Sequence, residues 1–131
     1  MNAEELKSVP LFAGLSEGAR RELAVWLEEV KVSQGKHLVD EGDYAYDLSV
    51  IVEGTAEVTR GGDHVADLGE GDFFGEMGVL SEEGRRTATV VAKTDMKLLT
   101  LKQYDVDRMR KSAPEMIEEL RGAIEERGGS S

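Results

Sequence analysis

From Phe74 to Val90 the chain reads FGEMGVLSEEGRRTATV: a glycine and a carboxylate open a helix-like start, Arg86 follows Glu76 by ten residues, and a hydroxyl and an alanine come directly after it. Those residue types suit a phosphate diester whose ribose keeps a free hydroxyl. Such a ligand needs exposed backbone N–H groups, one fixed cation and one carboxylate acceptor. Gly75, Met77 and Gly78 offer amide donors at a helix N-terminus, where first-turn N–H groups lack intrahelical partners and the macrodipole favours an anion. Arg86 adds a planar, permanently charged fork matched to two phosphate oxygens, and Thr87 a hydroxyl donor beside it. Glu76 would repel the phosphate, so its partner is the ribose 2′-hydroxyl, whose proton it accepts.

Each residue alone also has an ordinary structural role. A glutamate at a helix start is stabilised by the dipole, threonines are common in strands, and an Arg-Arg pair beside two glutamates can be a surface ion-pair cluster of little worth. The ordered combination within seventeen residues is what points to a ligand. Metal and nucleophile chemistry find less support. The two histidines, His37 and His64, are far apart in sequence without ligand-like spacing and read as surface or strand residues, and no Ser-His-Asp or Cys-His set stands out. The expectation is no enzyme, no catalytic residue, no metal and no cofactor.

The elements that must hold this segment follow from pattern. Asn2 with Glu5 can form a capping box, and Ser16 can cap a helix on which Leu23, Trp26, Leu27 and Val30 recur at helical spacing. From Val30 to Leu101 short β-branched runs are broken by Gly35, Gly42, Gly54, Gly61-Gly62, Gly69 and Gly71, the pattern of a small antiparallel barrel or roll, with Thr94-Asp95 turning between the last two strands. Gln103 to Lys111 reads as one helix. Ser112, Pro114 and Glu115 supply a capping box for another running to Arg127, whose Met116, Ile117, Leu120 and Ile124 form an apolar stripe ahead of Gly128-Gly129.

Length and charge limit the rest. At 131 residues the chain fits one domain with its own core. No run of eighteen apolar residues is present, the first residues are acidic rather than signal-like, and cysteine is absent. The expectation is a cytoplasmic protein that does not enter a membrane. A formal charge of −11 argues against contact with nucleic acid, and it opposes an anionic ligand globally, which places more weight on Arg86.

The segment resembles the phosphate-binding cassette of the cyclic-nucleotide-binding domain family, the module of bacterial cAMP-receptor transcription factors, kinase regulatory subunits and gated channels. The resemblance extends along nearly the whole chain. VPLFAGLS (9–16) is similar to the family's opening turn, DEGDYAYDLSVIVEGTAEV (40–58) to its second and third strands, GEGDFFGE (69–76) to the approach to the cassette, and ATVVAKTDMKLLTL (88–101) to its closing hairpin. It implies an α+β, mainly β fold: an antiparallel, jelly-roll-like β-roll flanked by N-terminal helices and two C-terminal helices. As one domain, 1–131, this divides into helices at 1–30, a roll at 31–101 with the cassette at 74–90, hinge and lid helices at 102–127 and a tail at 128–131.

Carried over by position, the family's backbone phosphate donors fall on Gly75, Met77 and Gly78, its ribose acceptor on Glu76 and its phosphate arginine on Arg86, followed by Thr87 and Ala88. The linker Ser81 to Arg85 is a residue longer than in many relatives. Arg86 is chosen over Arg85 because it directly precedes the Thr-Ala pair. The base is expected against Val65 and Leu68 and under Leu120, Arg121 or Ile124 of a lid helix. That helix could equally pack on the roll or on a second copy. The function implied is a sensor of cAMP, with cGMP also compatible with Thr87, that reports occupancy through its C-terminal helices to an effector or a homodimer partner. The alternative is a non-binding roll that serves as an interaction or dimerisation module.

Overall fold

The computed structural model describes residues 1–42, 47–75 and 88–127. A 3-10 helix, Glu5–Ser8, leads into α1 (Pro10–Ala13) and α2 (Glu17–Trp26). Eight strands follow: β1 (Glu28–Val32), β2 (His37–Val39), β3 (Leu48–Glu53), β4 (Ala56–Arg60), β5 (Asp63–Leu68), β6 (Phe73–Phe74), β7 (Thr89–Ala92) and β8 (Met96–Leu101). Two helices close the fold, α3 (Gln103–Ser112) and α4 (Pro114–Arg127). The strands form two four-stranded antiparallel sheets, β1-β8-β3-β6 and β2-β7-β4-β5. This is the roll flanked by helices that the sequence implies.

Sheet one is the middle layer. One face of it, with Leu48, Val50, Phe73, Leu99 and Leu101, packs with Leu6, Phe12 and Leu23 of the N-terminal helices and with Val106, Met109, Leu120 and Ile124 of the C-terminal ones. The other face, with Val32, Ile51, Phe74, Met96 and Leu98, packs with Ala56, Val58, Leu68, Val90 and Ala92 of sheet two. Burial on both faces explains why β3 and β8 read LSVIV and MKLLTL, near-continuous apolar runs rather than strict alternation. The neighbours Phe73 and Phe74 therefore belong to different cores.

Local chemistry sets the element ends. Asn2 and Glu5 make the reciprocal capping pair, with Asn2 N–H donating to Glu5 Oε1 at 3.1 Å and Glu5 N–H to Asn2 Oδ1 at 2.8 Å. Ser16 Oγ accepts from Ala19 N–H at 3.1 Å and caps α2. Helix α2 stops at Trp26, and Leu27 is extended. Val30 is thus not on the helical stripe: it lies in β1, opposite Leu98, and the roll begins at Glu28 rather than at 31. Arg108 of α3 stacks its guanidinium over Trp26 at 5.2 Å and Tyr104 at 5.6 Å, joining α3 to the end of α2.

The break between α3 and α4 falls at Ala113, next to the Ser112 boundary expected between two helices. Its cap differs from the expectation. Ser112 closes α3, its hydroxyl donating to the Arg108 carbonyl at 3.1 Å, and the Ala113 carbonyl accepts from Met116 and Ile117 N–H to start α4.

Six connections carry the chain between sheets, and four of them are β1 to β2, β3 to β4, β5 to β6 and β7 to β8. The registers place all four at the same end of the roll, where Val32 meets Met96 and Ala56 meets both Leu68 and Ala92. Gly54 is required there, since at φ +97° a Cβ on it would sit 2.5 Å from the Asp95 carbonyl oxygen. The β6 to β7 connection, which contains the cassette, crosses between sheets at the opposite end.

Candidate functional site

Gly75 and Ala88 lie within the expected cassette, 74–90, on either side of residues 76–87. Gly75 follows directly on β6, is buried, and has φ +80°, a left-handed backbone that glycine adopts without a Cβ penalty. Phe73, in the helical core, and Phe74, in the roll core, fix its approach from both sides of sheet one. Ala88 has no exposed surface and packs with Leu68, Phe74 and Val90 just before β7 enters sheet two. The segment between is thus held at one end on the edge strand of sheet one and at the other in the interior of sheet two. Glu76, Met77, Gly78, Arg86 and Thr87 lie outside the described residues.

Glu41 makes a brace beside Ala88 that sequence reading missed. Its N–H donates to Thr89 Oγ1 at 3.1 Å, one residue beyond Ala88, and its Oε1 accepts from Gly61 N–H at 2.6 Å at the tip of the β4–β5 hairpin. It thereby ties together the chain after β2, the hairpin tip and the start of β7. Its place in the DEGD run was the available signal. Near the same strands, a cavity of about 230 Å³ opens between the sheets, walled by Val30, Val39, Phe74 and Leu98 and by the buried hydroxyls of Ser49 and Thr100, which bond to each other at 3.1 Å.

The residues expected around a base separate into different environments. Leu68 is buried in the roll core beside Ala88. Val65 is 47% exposed on β5. Leu120 and Ile124 are fully buried, but on the far side of sheet one, among the helices. Arg121 is exposed and pairs Nε with Glu125 Oε1 at 3.3 Å. Leu68 and Ala88 are brought together. The α4 residues are not brought to them in this arrangement.

What holds α4 where it is can be read from Glu119. Its Oε1 accepts from Ser16 N–H at 2.9 Å and its Oε2 from the Ser16 hydroxyl at 3.0 Å, a carboxylate clasp on the cap of α2 from a residue 103 positions away. Beside α3, Lys102 Nζ lies 2.9 Å from Glu28 Oε2. The hydrogen bond to Glu28, and then its charge, hold the Lys102 ammonium above the ordinary lysine pKa.

The family model described as the cyclic nucleotide-binding domain matches residues 29–113, from the second residue of β1 through β8 and α3. The chain belongs to the cyclic nucleotide-binding domain family. A cyclic nucleotide-gated potassium channel of Rhizobium etli is 37% identical over 129 residues, 98% of this chain and 36% of the channel. This domain thus spans about a third of that relative. The N-terminal domain of a transcriptional regulator from Streptomyces coelicolor superposes with a TM-score of 0.76 at 31% identity, covering 96% of this chain and 97% of that one. The regulatory domain of Toxoplasma gondii PKA, solved with cAMP, superposes with a TM-score of 0.76 at 26% identity, covering 96% of this chain and 49% of that one. Among the described residues no helix is long and apolar enough to cross a membrane.

Proposed function

We propose that this domain is a cytoplasmic cyclic-nucleotide sensor, preferring cAMP to cGMP, that catalyses no reaction and reports occupancy through its C-terminal helices to an effector or a second copy. The observation that carries this reading is the cassette: its motif stands in family order from Gly75 to Ala88, on a segment whose first residue has a left-handed backbone and whose last is sealed in the roll core. In this reading the amides of Gly75, Met77 and Gly78, the Arg86 fork and Thr87 hold the cyclic phosphate, and Glu76 accepts from the ribose hydroxyl. Ala88 supplies the small residue that lets β7 start beneath them. The relative solved with cAMP supports the choice of ligand.

Transmission has a physical basis in the layers. Phe73 joins the approach to the cassette to the helical core, so a shift at Gly75 is felt by the same cluster that holds Leu120 and Ile124. For those two, or Arg121, to cover a base lying against Leu68 and Val65, α4 must leave its packing on α1 and α2. The domain then works by population shift: the nucleotide favours whichever placement of α4 it binds better, and transmits no more than that difference. Calorimetric titration with cAMP tests the reading. Binding that disappears in Arg86→Leu supports it, and no heat from either cAMP or cGMP with the fold intact refutes it.

A further inference from the structure

The outer face of sheet two carries a second cluster unrelated to the cassette chemistry. Glu57 on β4 and Asp67 on β5 are direct cross-strand partners, two carboxylates facing each other where like charges disfavour the pairing. Beside them is His64. Its Nδ1 lies 2.8 Å from Glu57 Oε2 and its Nε2 4.0 Å from Asp67 Oδ2. Asp67 turns its other oxygen, Oδ1, to Lys93 Nζ at 3.2 Å.

A register shift puts the imidazole there. Val58 pairs with Ala66 but Thr59 pairs with His64, so Val65 is an extra residue in β5. Without that bulge Thr59 would face Val65 and His64 would project from the opposite face. With it, His64 joins the face that carries Glu57 and Asp67, and Val65 is the residue left exposed. Bulges re-aim side chains in this way.

We infer that Glu57, His64 and Asp67 form a binding site for a borderline divalent transition-metal ion such as Zn²⁺. One ligand atom from each residue can be chosen so that all three lie within 4.8 Å of one another. An ion with bonds of about 2.0–2.2 Å needs its ligand atoms about 3.4 Å apart in a tetrahedron, with water in the fourth position. The side chains are 39%, 51% and 53% exposed, free to close by that amount and open to an ion from solution. Two carboxylates and a neutral imidazole offset the dication's charge, and the chain's net charge of −11 attracts it. Nitrogen among only three ligands selects Zn²⁺, Ni²⁺ or Cu²⁺ over Mg²⁺ and Ca²⁺, which take six or more oxygens. The ion would relieve the opposed carboxylates and pin the β4–β5 pair.

The test is calorimetric titration of the full chain with ZnCl₂, paired with thermal unfolding at the same concentrations. The expected result is one saturable equivalent and a rise in Tm that follows occupancy, both abolished in His64→Ala and weakened about tenfold or more in Asp67→Asn. Lys93→Ala should tighten binding by removing the competing cation. His37→Ala is the control, since the other histidine pairs only with Asp40, at 2.7 Å, among the described residues and should leave the titration unchanged. No saturable binding by wild type overturns the inference, and so does binding that survives His64→Ala. Titration of the same variants with cAMP keeps this result separate from that for the cassette.

Discussion

Replacing Glu119 with alanine should loosen α4 without disturbing the roll. Both carboxylate oxygens are engaged, one by the Ser16 amide at 2.9 Å and one by its hydroxyl at 3.0 Å. Hydrogen bonds to charged groups contribute about 1.5–3 kcal/mol where water is excluded. Here both residues are exposed, and solvent competes for each bond, so the clasp is worth about 1–2 kcal/mol. For a chain of 131 residues that corresponds to a fall in Tm of about 3–8 °C.

Ser16→Ala removes the hydroxyl arm and also the cap on Ala19, the latter worth about 1 kcal/mol. The double variant should therefore lose less than the two singles together, by about 0.5–1 kcal/mol. Urea unfolding of the four proteins measures the cycle, and hydrogen exchange locates the effect on α4. If α4 must move for nucleotide to be covered, Glu119→Ala also raises nucleotide affinity, by no more than the clasp is worth, about five- to thirtyfold. Additive unfolding energies together with unchanged exchange across α4 would refute the reasoning, because the clasp would then hold nothing.

Three further perturbations follow from the same structure. Arg86→Leu should weaken cyclic nucleotide binding by about 1.5–3 kcal/mol, roughly ten- to over a hundredfold, and calorimetry showing unchanged affinity would remove Arg86 from the site. Gly54→Ala should destabilise the domain by at least about 1–3 kcal/mol in urea, since it adds left-handed strain to a clash with the Asp95 carbonyl; wild-type stability would show that the turn can rearrange. Glu28→Gln should lower thermal stability near neutral pH. Because Lys102 has a raised pKa when folded, the pair stabilises the fold fully below the unfolded lysine value, about 10.4, and the gap between variant and wild type should close as pH rises above it. A gap that persists at the alkaline end would assign Glu28 another role.

Local signals were legible where the physics is local. The Asn2–Glu5 capping pair, the Ser16 cap, the break near Ser112 and the glycine-marked turns all involve residues within a few positions of one another. Val30 misled because Leu23, Trp26, Leu27 and Val30 fit a helical period, whereas β1 is decided by pairing with β8 almost seventy residues later. The Ser112 hydroxyl had two backbone acceptor and donor choices, and turned back to Arg108 rather than forward to cap α4. The cassette was readable as residue types in order. The Glu41 brace, the Glu119 clasp and the Glu57–His64 contact were not, since each joins segments whose adjacency is created by the fold or, for His64, by one extra residue in a strand.

Side-by-side calorimetric titration of the domain with cAMP and cGMP tests the central claim most directly, with hydrogen exchange of α4 followed in the same samples. Saturable binding of one equivalent, tighter for cAMP and accompanied by altered protection at Leu120 and Ile124, is the predicted result. A folded domain that takes up neither nucleotide would contradict the account, leaving the roll and its helices as an interaction module.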